Sequence, residues 1–133
     1  MSSLKDDLAS ISTLPEAVFK DVLATISNPK NNSLKWAMVI DKAEEEIKES
    51  IKGLFRVLSY IADTFAETRN FKEESEELDK FMSSIAESDG DALDGWHRIR
   101  ETFSELQNFF IKRKEDDIKS RFSRVTKVCV TVD

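Results

Sequence analysis

The stretch IDKAEEEIKESIKGLFRVLSYIADTF, residues 40–65, decides the fold class of this chain. Its apolar residues recur at gaps of three and four positions: Ile40, Ala43, Ile47, Ile51, Leu54, Leu58, Ile61 and Phe65. Apolar residues at this spacing share one face of an α-helix, because the helix has about 3.6 residues per turn. The pattern therefore predicts a helix that buries a continuous apolar stripe.

The same region is too long to be one straight helix. An unbroken helix from residue 33 to about residue 69 would be roughly 55 Å long, at 1.5 Å per residue. Because a compact domain of 133 residues does not comfortably hold that length, we expect a break near residues 41–46 or at Gly53. Ser33 is the predicted N-cap of this region.

Two shorter helices are predicted before this region. Leu4, Leu8 and Ile11 form the apolar stripe of the first. The segment Thr13-Leu14-Pro15-Glu16 has the spacing of a capping box and a proline in the first turn, so it predicts the start of the second. That helix should end before Pro29, because proline disfavours helical geometry in the preceding residue.

Further helices are predicted downstream, with Asn70 and Asp91 as N-caps. The apolar residues inside them are Leu78, Phe81, Met82 and Ile85 in one segment and Trp96, Ile99, Phe103, Leu106 and Phe110 in the next, continued by Ile118, Phe122 and Val125. The sequence thus predicts an all-α fold, an antiparallel bundle of five to six helices over residues 1–124 with a short C-terminal β-strand.

That strand is predicted from the last nine residues, VTKVCVTVD (125–133). Val128, Val130 and Val132 alternate with Cys129 and a threonine, as in a β-strand. A lone strand cannot satisfy its own backbone N–H and C=O groups. We therefore predict an isolated strand that begins a second domain, or that pairs with a partner or a second copy. Disorder or chance periodicity is the third interpretation.

Composition narrows the class of protein. The chain is 40% apolar and 35% charged, which suits amphipathic helices. Its longest apolar run, residues 36–40, is far shorter than the ~20 residues that span a bilayer. No signal peptide is visible and the single cysteine cannot form an internal disulfide, so a soluble protein in the cytoplasm is expected.

Charge is distributed unevenly along the chain. Residues 1–111 carry 22 acidic and 13 basic side chains, a net charge of −9, whereas residues 112–133 carry four acidic and seven basic ones, a net charge of +3. The acidic body disfavours binding to nucleic acid. The basic segment, which begins with Lys112, Arg113 and Lys114, is either the solvated face of a helix or a contact for an acidic partner.

The stretches that resemble reactive sites lack what those sites need. An EF-hand calcium loop that began at Asp89 would need glycine at its sixth position and glutamate at its twelfth, but these positions hold Asp94 and Arg100. A turn with an Asp N-cap explains residues 89–91 better. Asp94 and His97 resemble half of a di-iron pair, but the single histidine leaves no second pair. Cys129 has no histidine nearby in sequence. We therefore predict no catalytic, cofactor-binding or metal-binding residues.

Two aromatic residues suggest a second contact surface. Phe109 is adjacent to Phe110, so the two side chains point in different directions from one helix. Trp36 lies off the apolar stripe that begins at Ile40. Burial between several helices is the alternative for both. The predicted partner-binding residues are Trp36, Phe109, Lys112, Arg113, Lys114, Val128, Val130 and Val132.

Several segments resemble the helical N-terminal region of COMM-domain proteins. They are LPEAVF (14–19), AEEEIKESIKGLFRVLSYI (43–61) and EESEELDKFMSSI (73–85), and RVTKVCVTVD (124–133) lies about where that family's first COMM-domain strand begins. The resemblance covers residues 13–133. It implies a non-enzymatic adaptor that pairs through a C-terminal β-rich domain and acts in endosomal cargo recycling. The tryptophan near the start of the family's COMM domain has no counterpart in 124–133.

Taken together, the sequence predicts a protein–protein interaction domain of the adaptor or scaffold kind, without enzymatic activity, that forms homo- or hetero-oligomers through its C-terminal strand. Two alternatives stay open: a helical bundle that binds a small ligand, and a self-assembling structural or viral protein. A deep cavity lined by convergent polar groups would favour the ligand-binding alternative.

Overall fold

The computed structural model of the chain describes residues 3–28, 30–66 and 70–106. Its helices are α1 (Leu4–Ile11), α2 (Glu16–Ser27), α3 (Ser33–Lys42), α4 (Glu45–Ala66), α5 (Phe71–Ala86) and α6 (Gly90–Arg100). After a turn at residues 101–102, a further helical stretch begins at Phe103 and is described as far as Leu106. The long segment predicted from Trp96 to Phe110 is therefore interrupted, and this stretch is a seventh helix where five to six were predicted. No β-strand occurs in these ranges, so the all-α prediction is confirmed for them. The strand predicted for residues 125–133 lies outside the described residues.

The long helical region divides where the sequence predicted a break. α3 ends at Lys42, Ala43 turns into extended geometry with φ −72° and ψ 156°, and α4 begins at Glu45. The prediction of a break near residues 41–46 is therefore confirmed. Gly53 lies inside α4 and does not interrupt it, so the alternative position for the break is wrong.

α4 forms the centre of the bundle. In its middle, every residue from Ile51 to Leu58 is buried except the half-buried Arg56. A helix that is apolar on nearly all sides must be surrounded by neighbours. α1, α3 and α5 all pack on α4, and α6 packs on α1 and α5.

α1 is short but lies between α4 and α6 at very close range. A Cβ atom added to Gly95 of α6 would clash with the carbonyl group of Leu8, and one added to Gly53 of α4 would lie 2.9 Å from the Ser10 hydroxyl oxygen. Gly95 thus faces the backbone of α1, and Gly53 faces its Ser10 and Asp7 side chains; close approach of this kind is a common use of glycine.

Polar contacts fix the orientation of α1. Asp7 is buried, and Arg56 of α4 donates two hydrogen bonds to it, from Nε to Oδ2 (3.1 Å) and from Nη2 to Oδ1 (3.0 Å). Arg56 Nη2 also donates to Glu49 Oε1 at 3.3 Å. The hydrogen bond to Asp7 is the main cause that raises the pKa of Arg56 above the ordinary arginine value. Bidentate pairing of this kind restricts both distance and angle between two helices.

Arg98 of α6 closes the other end of α1. Its Nη1 donates to the carbonyl oxygens of Ile11 (3.0 Å) and Leu14 (2.6 Å), and its guanidinium lies 4.4 Å from the ring centroid of Phe19. The last carbonyl groups of a helix have no partner within the helix, so a cation placed there satisfies them. The Arg98 side chain therefore joins α6 to α1, to the α1–α2 connection and to α2.

Aromatic residues close the core around the ends of α4 and α6. Phe65 stacks on Phe71 with centroids 4.5 Å apart, and Phe103 meets the edges of Phe65 and Trp96 at 6.0 and 5.5 Å. Trp96 is fully buried, and its Nε1 donates to Asp79 Oδ1 of α5 at 2.7 Å. The prediction that Trp96 and Phe103 lie in the core is confirmed.

Several predicted N-caps are displaced. Asn70 is confirmed, since its side chain accepts from Glu73 N, but α3 is capped by Asn32 and α6 by Asp89. Ser33 and Asp91 are the first and second residues of their helices instead. Asn, Asp and Ser cap helices about equally well, so where two of them are close in sequence the local pattern does not select between them.

The predicted capping box of α2 is absent. The N-cap position is occupied by Pro15, which makes no side-chain capping bond, and the helix begins at Glu16. The Thr13 hydroxyl donates instead to the Ser10 carbonyl oxygen at 2.7 Å, and so completes the end of α1. Because α1 ends immediately before, its carbonyl groups compete successfully for this side chain.

Candidate interaction surfaces

Four large apolar side chains are exposed in the part of the chain that the structure describes. They are Leu34 (71% exposed), Met38 (36%), Tyr60 (38%) and Phe81 (47%). Single exposed apolar residues are ordinary, whereas clustered ones mark contact sites. These four fall into two pairs on different helices.

The first pair forms what we call the aromatic surface: Tyr60, Phe81, Asp63 and Glu77. Tyr60 of α4 and Phe81 of α5 stack with centroids 6.1 Å apart and ring planes inclined by 17°. Asp63 lies three residues after Tyr60 and Glu77 four residues before Phe81, on the same helix faces, and both are exposed. The aromatic pair is thus flanked by carboxylates.

The second pair forms what we call the aliphatic surface: Leu34, Met38, Lys35 and Lys42. Leu34 and Met38 are one turn apart on α3. The charged residues near Met38 are of both signs: Lys35 lies three residues before it, Asp41 three after and Lys42 four after. All of these side chains are exposed. The opposite face of α3 carries the buried Trp36, Ala37 and Ile40, so this helix is apolar on both sides.

The two surfaces lie on helices of opposite charge. α3 contains two lysines and one aspartate, a net charge of +1, and it is the one helix among α1–α6 with a positive net charge. α5 contains two lysines and five carboxylates, a net charge of −3, the most negative of the six. The two helices therefore differ in net charge, although each also exposes a charge of the other sign near its apolar residues, Asp41 on α3 and Lys80 on α5.

A groove between α2 and the end of α6 is a different kind of concavity. It has a volume of about 580 Å³, and it opens to solvent. Its apolar members Phe19 and Leu23 are buried, and Arg98 above Phe19 is engaged by backbone carbonyls. Carboxylates of Glu16, Glu101 and Glu105 line the rest. The groove thus combines charged side chains with accessible apolar area, and it is open to solvent rather than enclosed.

The residues that resembled metal ligands are spread apart. Asp94 and His97 are exposed on α6, and Asp89 caps that helix by accepting from Asp91 N and Ala92 N. The interpretation of residues 89–91 as an Asp-capped turn is thus confirmed, with Asp89 as the cap. Across residues 3–28, 30–66 and 70–106, no group of three or more His, Cys, Asp or Glu side chains is placed to hold a metal ion.

One predicted partner-binding residue is wrong. Trp36 is fully buried and stacks on Phe55 of α4 with centroids 6.5 Å apart, so it offers no surface to a partner. Its offset from the Ile40 stripe reflects burial between helices, the alternative that the sequence left open. The other predicted contacts lie outside the described residues: Phe109, Lys112, Arg113, Lys114, Val128, Val130 and Val132.

The exposed residues were missed in sequence, although a signal for one existed. Phe81 was assigned to the core, which is wrong, since it is 47% exposed while Met82 next to it is fully buried. Adjacent residues on a helix point about 100° apart, so Phe81 and Met82 lie on different faces, and both would be buried only where a helix is covered on two sides, as it is at Val57 and Leu58 of α4. Tyr60 likewise lies on a different face from the buried Ile61.

Comparisons with known proteins gave no match: no family model, no curated protein and no solved structure corresponds to this chain. The resemblance to COMM-domain proteins stays a prediction. Of the helices within the described ranges, none combines the length and the apolar character that a bilayer crossing requires.

Proposed function

We propose that this chain is a non-enzymatic protein–protein interaction domain of the adaptor or scaffold kind. The observation that carries the proposal is the stacked, exposed pair of Tyr60 and Phe81 on the aromatic surface. Aromatic side chains supply most of the energy in many protein interfaces, because they bury a large area at a small cost in side-chain entropy.

The binding free energy expected from burial of Tyr60 and Phe81 is moderate. Aromatic side chains bury 150–250 Å² each, so the exposed parts of Tyr60 and Phe81 offer roughly 170 Å² together. At about 25 cal/mol per Å², their burial would contribute about 4 kcal/mol before the cost of association. That cost is itself about 4 kcal/mol or more. A stable complex must therefore extend beyond the pair to the flanking charged groups.

The remaining predicted contacts belong to the same proposal. The basic residues Lys112, Arg113 and Lys114 and the aromatic Phe109 would extend the contact area, and Val128, Val130 and Val132 would pair as a strand. A role in endosomal cargo recycling, as the COMM-domain resemblance implies, is the cellular context that we propose for the adaptor.

The test compares three immobilised proteins: the wild-type chain, Tyr60→Ser/Phe81→Ser, and the matched control Ala17→Ser/Ala24→Ser, which alters two exposed residues of α2. Bound proteins, including further copies of the chain, are identified by mass spectrometry, and the most enriched is purified. Its affinity for each variant is then measured by calorimetric titration.

We expect the aromatic-surface variant to bind at least about tenfold more weakly, and the control to bind like the wild type. Equal affinity of the aromatic-surface variant and the wild type would contradict the proposal. So would the absence of any protein that binds the wild-type chain in the purified system.

A further inference from the structure

We draw no further inference here: the strongest candidate, the solvent-open groove between α2 and the end of α6, carries side chains of both charge signs around its apolar residues, and nothing in the structure shows what covers it.

Discussion

α1 and α3 are both short helices of this bundle, with eight and ten residues, and each buries a few apolar side chains in the core. They differ in what else they carry. On α1 the buried Asp7 pairs with Arg56, and the carbonyl oxygen of Ile11 accepts a hydrogen bond from Arg98. α3 exposes Leu34 and Met38 instead.

This difference separates a helix that is held by a buried ion pair from one with an exposed apolar face. A buried carboxylate is tolerated only where a partner offsets its lost hydration, so the Asp7–Arg56 pair fixes α1 against α4. An exposed apolar pair contributes little to folding, so stability does not explain Leu34 and Met38 on α3.

The largest effect is expected from the close approach of α1 to α6. Gly95→Ala would place a Cβ atom against the backbone carbonyl of Leu8, which cannot move without displacing α1. We expect the free energy of unfolding, measured by urea denaturation, to fall by about 3 kcal/mol.

Gly90→Ala is the matched control, since nothing lies within 4 Å of the added atom at the start of the same helix. Its effect should stay within about 1 kcal/mol and favour the folded state, because alanine has the higher helix propensity. Equal losses in the two variants would show that α1 does not approach α6 as closely as described.

The next effect concerns the ion pair that orients α1. Asp7→Asn removes the buried charge and leaves the Arg56 guanidinium with Glu49 alone. Loss of one partner of a buried pair costs about 3–5 kcal/mol, but the Arg56 side chain is 32% exposed, so we expect about 2 kcal/mol. The measurement is a double-mutant cycle with Arg56→Gln, in which the coupling should be about 1 kcal/mol or more.

The pH dependence of this pair follows from the raised pKa of Arg56. A raised pKa contributes stability that is complete below the unfolded pKa of arginine and is lost only as pH rises through the higher folded value. The contribution of Arg56 should therefore be constant from pH 6 to pH 9, a range that lies well below the ordinary arginine pKa throughout. If the double-mutant cycle gave a coupling free energy near zero between Asp7 and Arg56 at neutral pH, the ion pair would not be what holds α1 against α4.

The smallest effect on stability is expected on the outer face of α3. Leu34→Ser/Met38→Ser should lower the free energy of unfolding by only about 1 kcal/mol, because Leu34 is 71% exposed and Met38 36%, and serine has the lower helix propensity at both positions. Ile40→Ala, on the buried face of the same helix, should cost about 2–5 kcal/mol. A comparable loss in both would mean that the aliphatic surface is part of the core, which would remove the contrast between α1 and α3.

Much of the bundle could be predicted from periodicity. The stripes at three and four residues located most of the core, and the break between α3 and α4 followed from length. The errors have local causes that the pattern does not resolve. Thr13 completes α1 rather than capping α2. Phe81 and Met82 are adjacent and apolar, and the sequence does not state which of them faces inward.

The sequence by itself determined the helical class, the break between α3 and α4, and most of the face that α4 buries. These features depend on residues within a few turns of one another, and the helical period relates them directly. The tertiary structure alone decided that Gly95 is a contact while Gly90 is not, that Asp7 is buried with Arg56, and that Leu34, Met38, Tyr60 and Phe81 are exposed. Those features depend on how distant helices meet, because burial is set by neighbours that the local period does not specify.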